Sequence, residues 1–352
     1  MNKVKNRVIT LSGQAATGKG TATNILIKKY EEQGMQVNVF ATGDKFREYL
    51  RDVKELIKAI QDKDSQKCNE LSYRETIRTI MYNNDGSLNE QSSHIIKDTI
   101  QKIKEKNIDL ASYDIEKANR SETLKEIRSR IDQVLDGYVK DILIKEINSI
   151  ENPNEIWILD SRLAGIIIPQ DESCSIRLIG NEKERGLRAY KRFLGNFESF
   201  LELLSQTLNI DIDEIKEKLA AIDNKSQEEL SDKQKLQEKF NKIENLLEKC
   251  VDQDIKNEIL GKFSKIKEES YENEESAIEK TSKRTKGEQE RFLERYQKDL
   301  EDERYYNAII DTSNLTAEEV AQIIFDTEQK LYSKDGYKKI EKETETNFDE
   351  ER

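Results

Sequence analysis

Residues 13–21 read GQAATGKGT, and each residue type in that stretch suits the wrapping of an anion. Backbone N–H groups can point inward around phosphates only if the chain bends sharply, which calls for glycine, and the general pattern is G-x-x-x-x-G-K-[ST]. Gly13 and Gly18 take the glycine positions, and Lys19 supplies the charge that reaches the outer phosphates. The eighth position is Gly20 and the hydroxyl comes one residue later, at Thr21, so the stretch is a variant of the pattern. The expected cradle is Gly13, Gln14, Ala15, Ala16, Thr17, Gly18, Lys19, Gly20 and Thr21. The apolar run VITLS leads into it, and GTATNILIKKYEEQG follows as a helix whose N-terminus adds partial positive charge. A glycine-rich turn with no ligand would account for the bends, but not for the lysine and the hydroxyl.

Four further stretches carry charged residues suited to phosphate chemistry. FATGDKFREYL (40–50) contains Arg47, and IWILDSRLAGIIIP (156–169) contains Asp160 and Arg162. IRLIGNEKERGLRAYKR (176–192) places Arg185, Arg188 and Arg192 on one helix, and KRTKGEQERFLERYQKD (283–299) holds Arg284, Glu288, Arg291, Phe292 and Tyr296. A guanidinium presents a fork of donors to phosphate oxygens, which suits two phosphates that must approach despite their repulsion. Taken singly, Arg185, Arg188 and Arg192 read equally well as salt-bridge partners on a charged helix, while the plainer readings are a surface position for Arg47 and a cap of the next segment for Asp160. Taken in order with GKGT, they resemble the nucleoside monophosphate kinases. DSRLAG is similar to the segment of archaeal-type cytidylate kinases that carries G-R-L-A-G, with Ser161 replacing glycine, and YYNAIIDTSNLTAEEVAQII (305–324) to that family's last strand and helix.

The resemblance implies ATP as donor, CMP or dCMP as acceptor, and Mg²⁺ held by Thr21 and Asp160. It assigns Lys19, Arg162, Arg185, Arg188 and Arg284 to catalysis. Thr42, Gly43, Asp44, Arg47, Arg162 and Arg291 would hold the acceptor. It covers residues 7–51, roughly 130–194 and 284–328, and leaves most of 52–130 and 195–283 unmatched.

These residues must be positioned by a chain of 352 residues, 37% charged and only 35% hydrophobic, with net charge −12. That balance fits one compact core with polar helical insertions and argues against a general nucleic-acid binder, which needs a basic face. Three cysteines without paired spacing and a single histidine, His94, suggest neither a disulfide framework nor a zinc site. No stretch approaches the length of a membrane span or a signal peptide, so a cytoplasmic protein without a membrane partner is expected.

Strand-like runs occur at 7–12, 36–42, 155–160, 174–180 and 307–312, apolar along their length as in strands covered on both faces. Helical patterns separate them. The expected fold is α/β, with the doubly wound parallel five-stranded sheet of P-loop NTPases and two large helical insertions. Its parts are 1–51 (phosphate-loop core), 52–150 (helical, on the acceptor side), 151–194 (third and fourth strands) and 195–283 (a helical hairpin or short coiled coil serving as lid). The last strand and helix fall in 284–332, and the charged tail 333–352 reads as disordered. Leu236, Phe240, Ile243 and Leu247 form one stripe in the second insertion. Other readings are a kinase for a different nucleotide or small acceptor, and a nucleotide-gated protein that binds a partner, or itself, through the insertions.

Overall fold

A computed structural model describes residues 7–74, 76–77, 131–132, 135–139, 143, 147, 152, 154–226, 230–250, 252–333 and 336–337. Most of the helices expected in 75–150 and His94 lie outside these residues, as does the tail beyond 337. The described chain forms two compact units, one built on the sheet and the other spanning Gly180–Arg291.

The first unit holds five parallel strands: β1 (Arg7–Gly13), β2 (Gln36–Ala41), β3 (Glu155–Asp160), β4 (Cys174–Ile179) and β5 (Ala308–Asp311), in the order β2-β3-β1-β4-β5. Each matches its expected run to within a residue at either end. From β1 the chain runs through α1 (Lys19–Glu32) to β2 on one side, while from β3 it runs through α4 (Ala164–Ile167) to β4 on the other. Connections diverging in this way leave a crevice at the carboxyl ends of the strands. Between β2 and the helical stretch described in 131–147 lie α2 (Thr42–Gln61) and α3 (Ser65–Ser72).

Alternate residues of the strands serve two different cores. Ile9 and Leu11 join Ile156, Ile158, Ile176 and Leu178 beneath Leu26 and Tyr30 of α1 and Val320 and Ile324 of α10 (Ala317–Leu331). On the other face Val8, Phe40 and Leu159 pack with Ala164 and Ile168 and with Val139, Leu143 and Ile147, which recur every four residues as one helix face does. This second face also buries polar side chains. Thr10 Oγ1 donates to Ser175 Oγ at 3.0 Å, and Ser175 Oγ donates to the Gly165 carbonyl at 3.1 Å. A Cβ on Gly165 would lie 3.4 Å from each of Ser12, Ser175 and Tyr306, so α4 sits close on β1 and β4 because that residue has no side chain. At the start of β1, Arg7 forms a buried ion pair with Glu328 of α10, which also accepts the Tyr30 hydroxyl at 3.1 Å.

The second unit contains α5 (Glu182–Leu208), α6 (Ile212–Asp223), α7 (Asp232–Leu247), α8 (Gln253–Glu268) and most of α9 (Glu274–Tyr296). It is larger than a two-helix hairpin and has its own core, in which Phe193, Phe200, Phe240 and Phe263 are buried together. The stripe of α7 faces that core, with Phe240, Ile243 and Leu247 buried and Leu236 packed against it. At Gly186 a Cβ would fall 2.5 Å from the Ile278 Cα, so α5 and α9 touch backbone to backbone. At the end of the described chain, β6 (Tyr332–Ser333) and β7 (Gly336–Tyr337) pair antiparallel, within the first residues of the segment expected to be disordered.

Candidate anion site at the carboxyl ends of the strands

The loop between β1 and α1 is bent at Gly13 (φ 144°), Ala16 (φ 60°) and Gly18 (φ 84°). A Cβ at Gly13 would meet the Leu178 carbonyl oxygen at 2.3 Å, where the Gln14 N–H donates to that same oxygen at 3.1 Å. Gly13 is thus fixed by the approach of β4, and Gly18 by its left-handed backbone. Gly20 is constrained by neither: it lies in the first turn of α1, and a Cβ there would meet nothing within 4 Å. Its missing side chain leaves open space over the helix end. Thr17 Oγ1 closes the loop onto the Gln14 carbonyl at 2.9 Å, and Lys19 Nζ folds back to the Gly13 and Gln14 carbonyls at 3.3 Å each. Thr21 is exposed in the same turn.

Arg162, two residues beyond the end of β3, reaches the same point, its Nε donating to the Gly13 carbonyl at 3.4 Å. The strand itself ends at Asp160, in register with Leu11 of β1 and Ala41 of β2. Burial pushes the Asp160 carboxyl above its ordinary range. Lys19 and Arg162 oppose that shift, Asp44 adds to it, and Arg47 opposes it again. All four of these groups therefore act on Asp160 within the sheet unit. Arg47 is ion-paired with Asp44, both side chains more than half exposed.

Thr42, Gly43 and Asp44 form the first turn of α2, because β2 passes directly into helix and Gly43 has no left-handed backbone angle. The Thr42 hydroxyl at that end is buried and finds no hydrogen-bond partner among the described residues. An unmade bond of this kind costs about 1–3 kcal/mol, and a ligand oxygen would supply it.

Among the described helices of eight residues or more, the caps set these two ends apart; the four-residue α4, which also lacks a side-chain bond at its N-cap Leu163, has its Ala164 N–H taken by Ser161 Oγ at 3.3 Å. A side-chain oxygen accepts from a first-turn N–H at Asp64 for α3, Asn181 for α5, Asp211 for α6, Ser231 for α7, Asp252 for α8, Asn273 for α9 and Thr316 for α10. α1 and α2 start at Gly18 and Ala41 with no side-chain cap. Their first N–H groups have no partner within the helix, and each end carries partial positive charge. Both lie at carboxyl ends of strands, on either side of Asp160 and Arg162.

Four of the expected arginines belong to the helical unit and are placed only within it. Arg185 is buried and donates to the Gly180 carbonyl at 3.0 Å and to Thr285 Oγ1 at 2.8 Å, joining α5 to α9. Arg284 is exposed and pairs with Glu288 at 3.2 Å, while Arg188 and Arg291 are half-buried. Sequence reading passed over Arg177 and Tyr306. Arg177, a buried cation on β4, donates to the Leu300 carbonyl and to Glu301, and its guanidinium lies 5.7 Å from the centre of the Tyr306 ring. Burial pushes the Tyr306 phenol up, while the Ser12 hydroxyl, Arg177 and Arg162 pull it back. The trace of this group in the sequence was an arginine inside the mostly apolar strand CSIRLI.

No protein-family model matches the chain, and no curated protein matches it. Its function therefore has to be argued from the site itself.

Proposed function

We propose that this chain is an ATP-dependent phosphotransferase with the P-loop type of α/β fold, acting on a nucleoside monophosphate, with CMP or dCMP as acceptor. The observation that carries the reading is the pair of uncapped helix ends flanking Asp160. One anion-receptive end would serve a switch as well as a kinase. A second end with its own arginine, Arg47, and a hydroxyl, Thr42, that finds no partner among the described residues favours two phosphates brought together. The ends belong to β1 and β2, two strand spacings apart, or about 10 Å, which leaves room for a group to pass between two bound phosphates. The choice of cytidylate rests on the resemblance of DSRLAG and of the later stretches at 176–192, 283–299 and 305–324.

In this reading the N–H groups of residues 14–21 and Lys19 bind the outer phosphates of ATP. Arg47, Thr42 and the α2 end bind the acceptor phosphate. Arg162, between them, stabilises the charge that develops on the transferred group. The Thr21 hydroxyl and the Asp160 carboxylate are a hard-oxygen donor set that fits Mg²⁺. Mg²⁺, when bound, neutralises charge on the phosphates. Positioning and charge neutralisation carry most of such a reaction, so a chain with a single histidine suffices.

A coupled ADP-release assay over CMP, dCMP, UMP, AMP and GMP tests the reading. Acceptor-dependent turnover is expected with at least one of them, falling about 10²–10³-fold in Lys19→Ala. No acceptor-dependent turnover with any of the five would sink the nucleotide-kinase reading.

A further inference from the structure

A second set of contacts in the sheet unit bears on Arg162. The last residue of α9, Tyr296, donates its hydroxyl to Asp136, and Arg295 lies 3.6 Å from Asp136 and 3.9 Å from Asp132. The side chains of Arg295, Asp132 and Asp136 are each at most 20% exposed, so these polar groups are held largely out of water. The Tyr296 ring lies 5.3 Å from that of Phe292, and both belong to one apolar cluster with Leu163, the residue after Arg162, and with Leu300, Ile166 and Ile167. Leu300 is tied down in turn, its carbonyl accepting from Arg177 and, at 3.1 Å, from the Tyr306 hydroxyl. Asp136 lies two residues before Tyr138, whose ring is 5.4 Å from Phe40 at the end of β2. Apolar packing in that cluster needs rings alone, as Phe292 shows; the hydroxyl of Tyr296 adds a directed bond to a carboxylate.

We propose that Tyr296 is a positioning residue for Arg162: its hydroxyl, held on Asp136, fixes the last turn of α9 against Leu163 and so sets the turn from which Arg162 reaches the Gly13 carbonyl. The purpose given to Arg162 rests on the phosphotransferase reading, whereas the positioning itself does not.

Hydrogen exchange on the full chain separates the two. The amides of Ala164, Ile166, Ile167 and Ile168 bond within this turn, to Ser161 Oγ and to the Leu163 and Ala164 carbonyls. In Tyr296→Phe they are expected to exchange roughly ten-fold faster, the effect of losing one hydrogen bond to a charged acceptor, while the Ala22 amide of α1 is unchanged. Asp136→Asn keeps an acceptor oxygen, is the fallback should Tyr296→Phe not fold, and should give a smaller increase in the same amides. Unchanged exchange over 161–168 overturns the proposal, whatever the reaction. In turnover, Tyr296→Phe should lower kcat about ten-fold without moving the KM for ATP, and should cost nothing further in Arg162→Lys. Additive losses would break the link to Arg162. If no acceptor is turned over by the unaltered chain, the transferase reading has failed and the exchange result alone decides.

Discussion

Asp160 meets opposing demands. Burial holds its carboxyl above the ordinary range, and Lys19 and Arg162 only partly offset that. A carboxyl raised on folding favours the folded state when protonated and opposes it when ionised. The cost therefore begins as pH rises past the unfolded value, taken as 3.8, and is complete above the raised folded value. Asp160→Asn should accordingly raise the melting temperature at pH 7, with a gain that shrinks to nothing as pH falls toward 3.8, and on the proposed phosphotransferase reading it should abolish acceptor-dependent turnover. Thermal scans of both proteins between pH 4 and pH 8 check this; an equal gain at all pH values would mean that burial of the charge is not the cause. Residues that trade stability for a task in this way are common where charges must meet a ligand. Gly20 belongs to the same scale: in the sequence it looks like a departure from the usual pattern, and in the fold it keeps the mouth of α1 open.

Helix ends carry the functional argument at the next scale, because capping is a local choice that can be made or withheld. Ala41 has extended backbone (φ −110°, ψ 104°), a conformation in which a serine could cap α2. Ala41→Ser should stabilise the chain by about 0.5–1 kcal/mol in urea titrations and raise the acceptor KM several-fold, since the new hydroxyl competes for the same N–H groups. A stabilised protein with an unchanged acceptor KM would mean that this end of α2 does not bind the acceptor. The strands were legible in the sequence because a buried parallel strand is a short apolar run bounded by polar or turn residues, and IWIL between Glu155 and Asp160 is such a run. The start of α2 was not legible: Thr42-Gly43-Asp44 has turn chemistry, and only the position of β2 beside β3 carries those residues into a helix.

For the whole molecule, two separately packed cores predict two melting events. Phe240 is buried in the helical core against Phe263, with ring centres 5.6 Å apart. Phe240→Ala should destabilise that unit by about 3–5 kcal/mol and lower one calorimetric transition, leaving the other in place. A single transition that moves as a whole would show the two cores to be cooperative. Among the described residues, no helix is long and apolar enough to cross a membrane. By itself the sequence determined the strands, the bent loop between β1 and α1 and the apolar stripe of α7, because each is a pattern of neighbours set by backbone geometry. Tertiary structure alone decided which helix ends stand uncapped beside Asp160, and that Arg185 is spent on Thr285. It also decided that Tyr296 answers to Asp136, 160 residues away along the chain. Pairings of that kind follow from how the sheet and helices stack, and no local spacing encodes them.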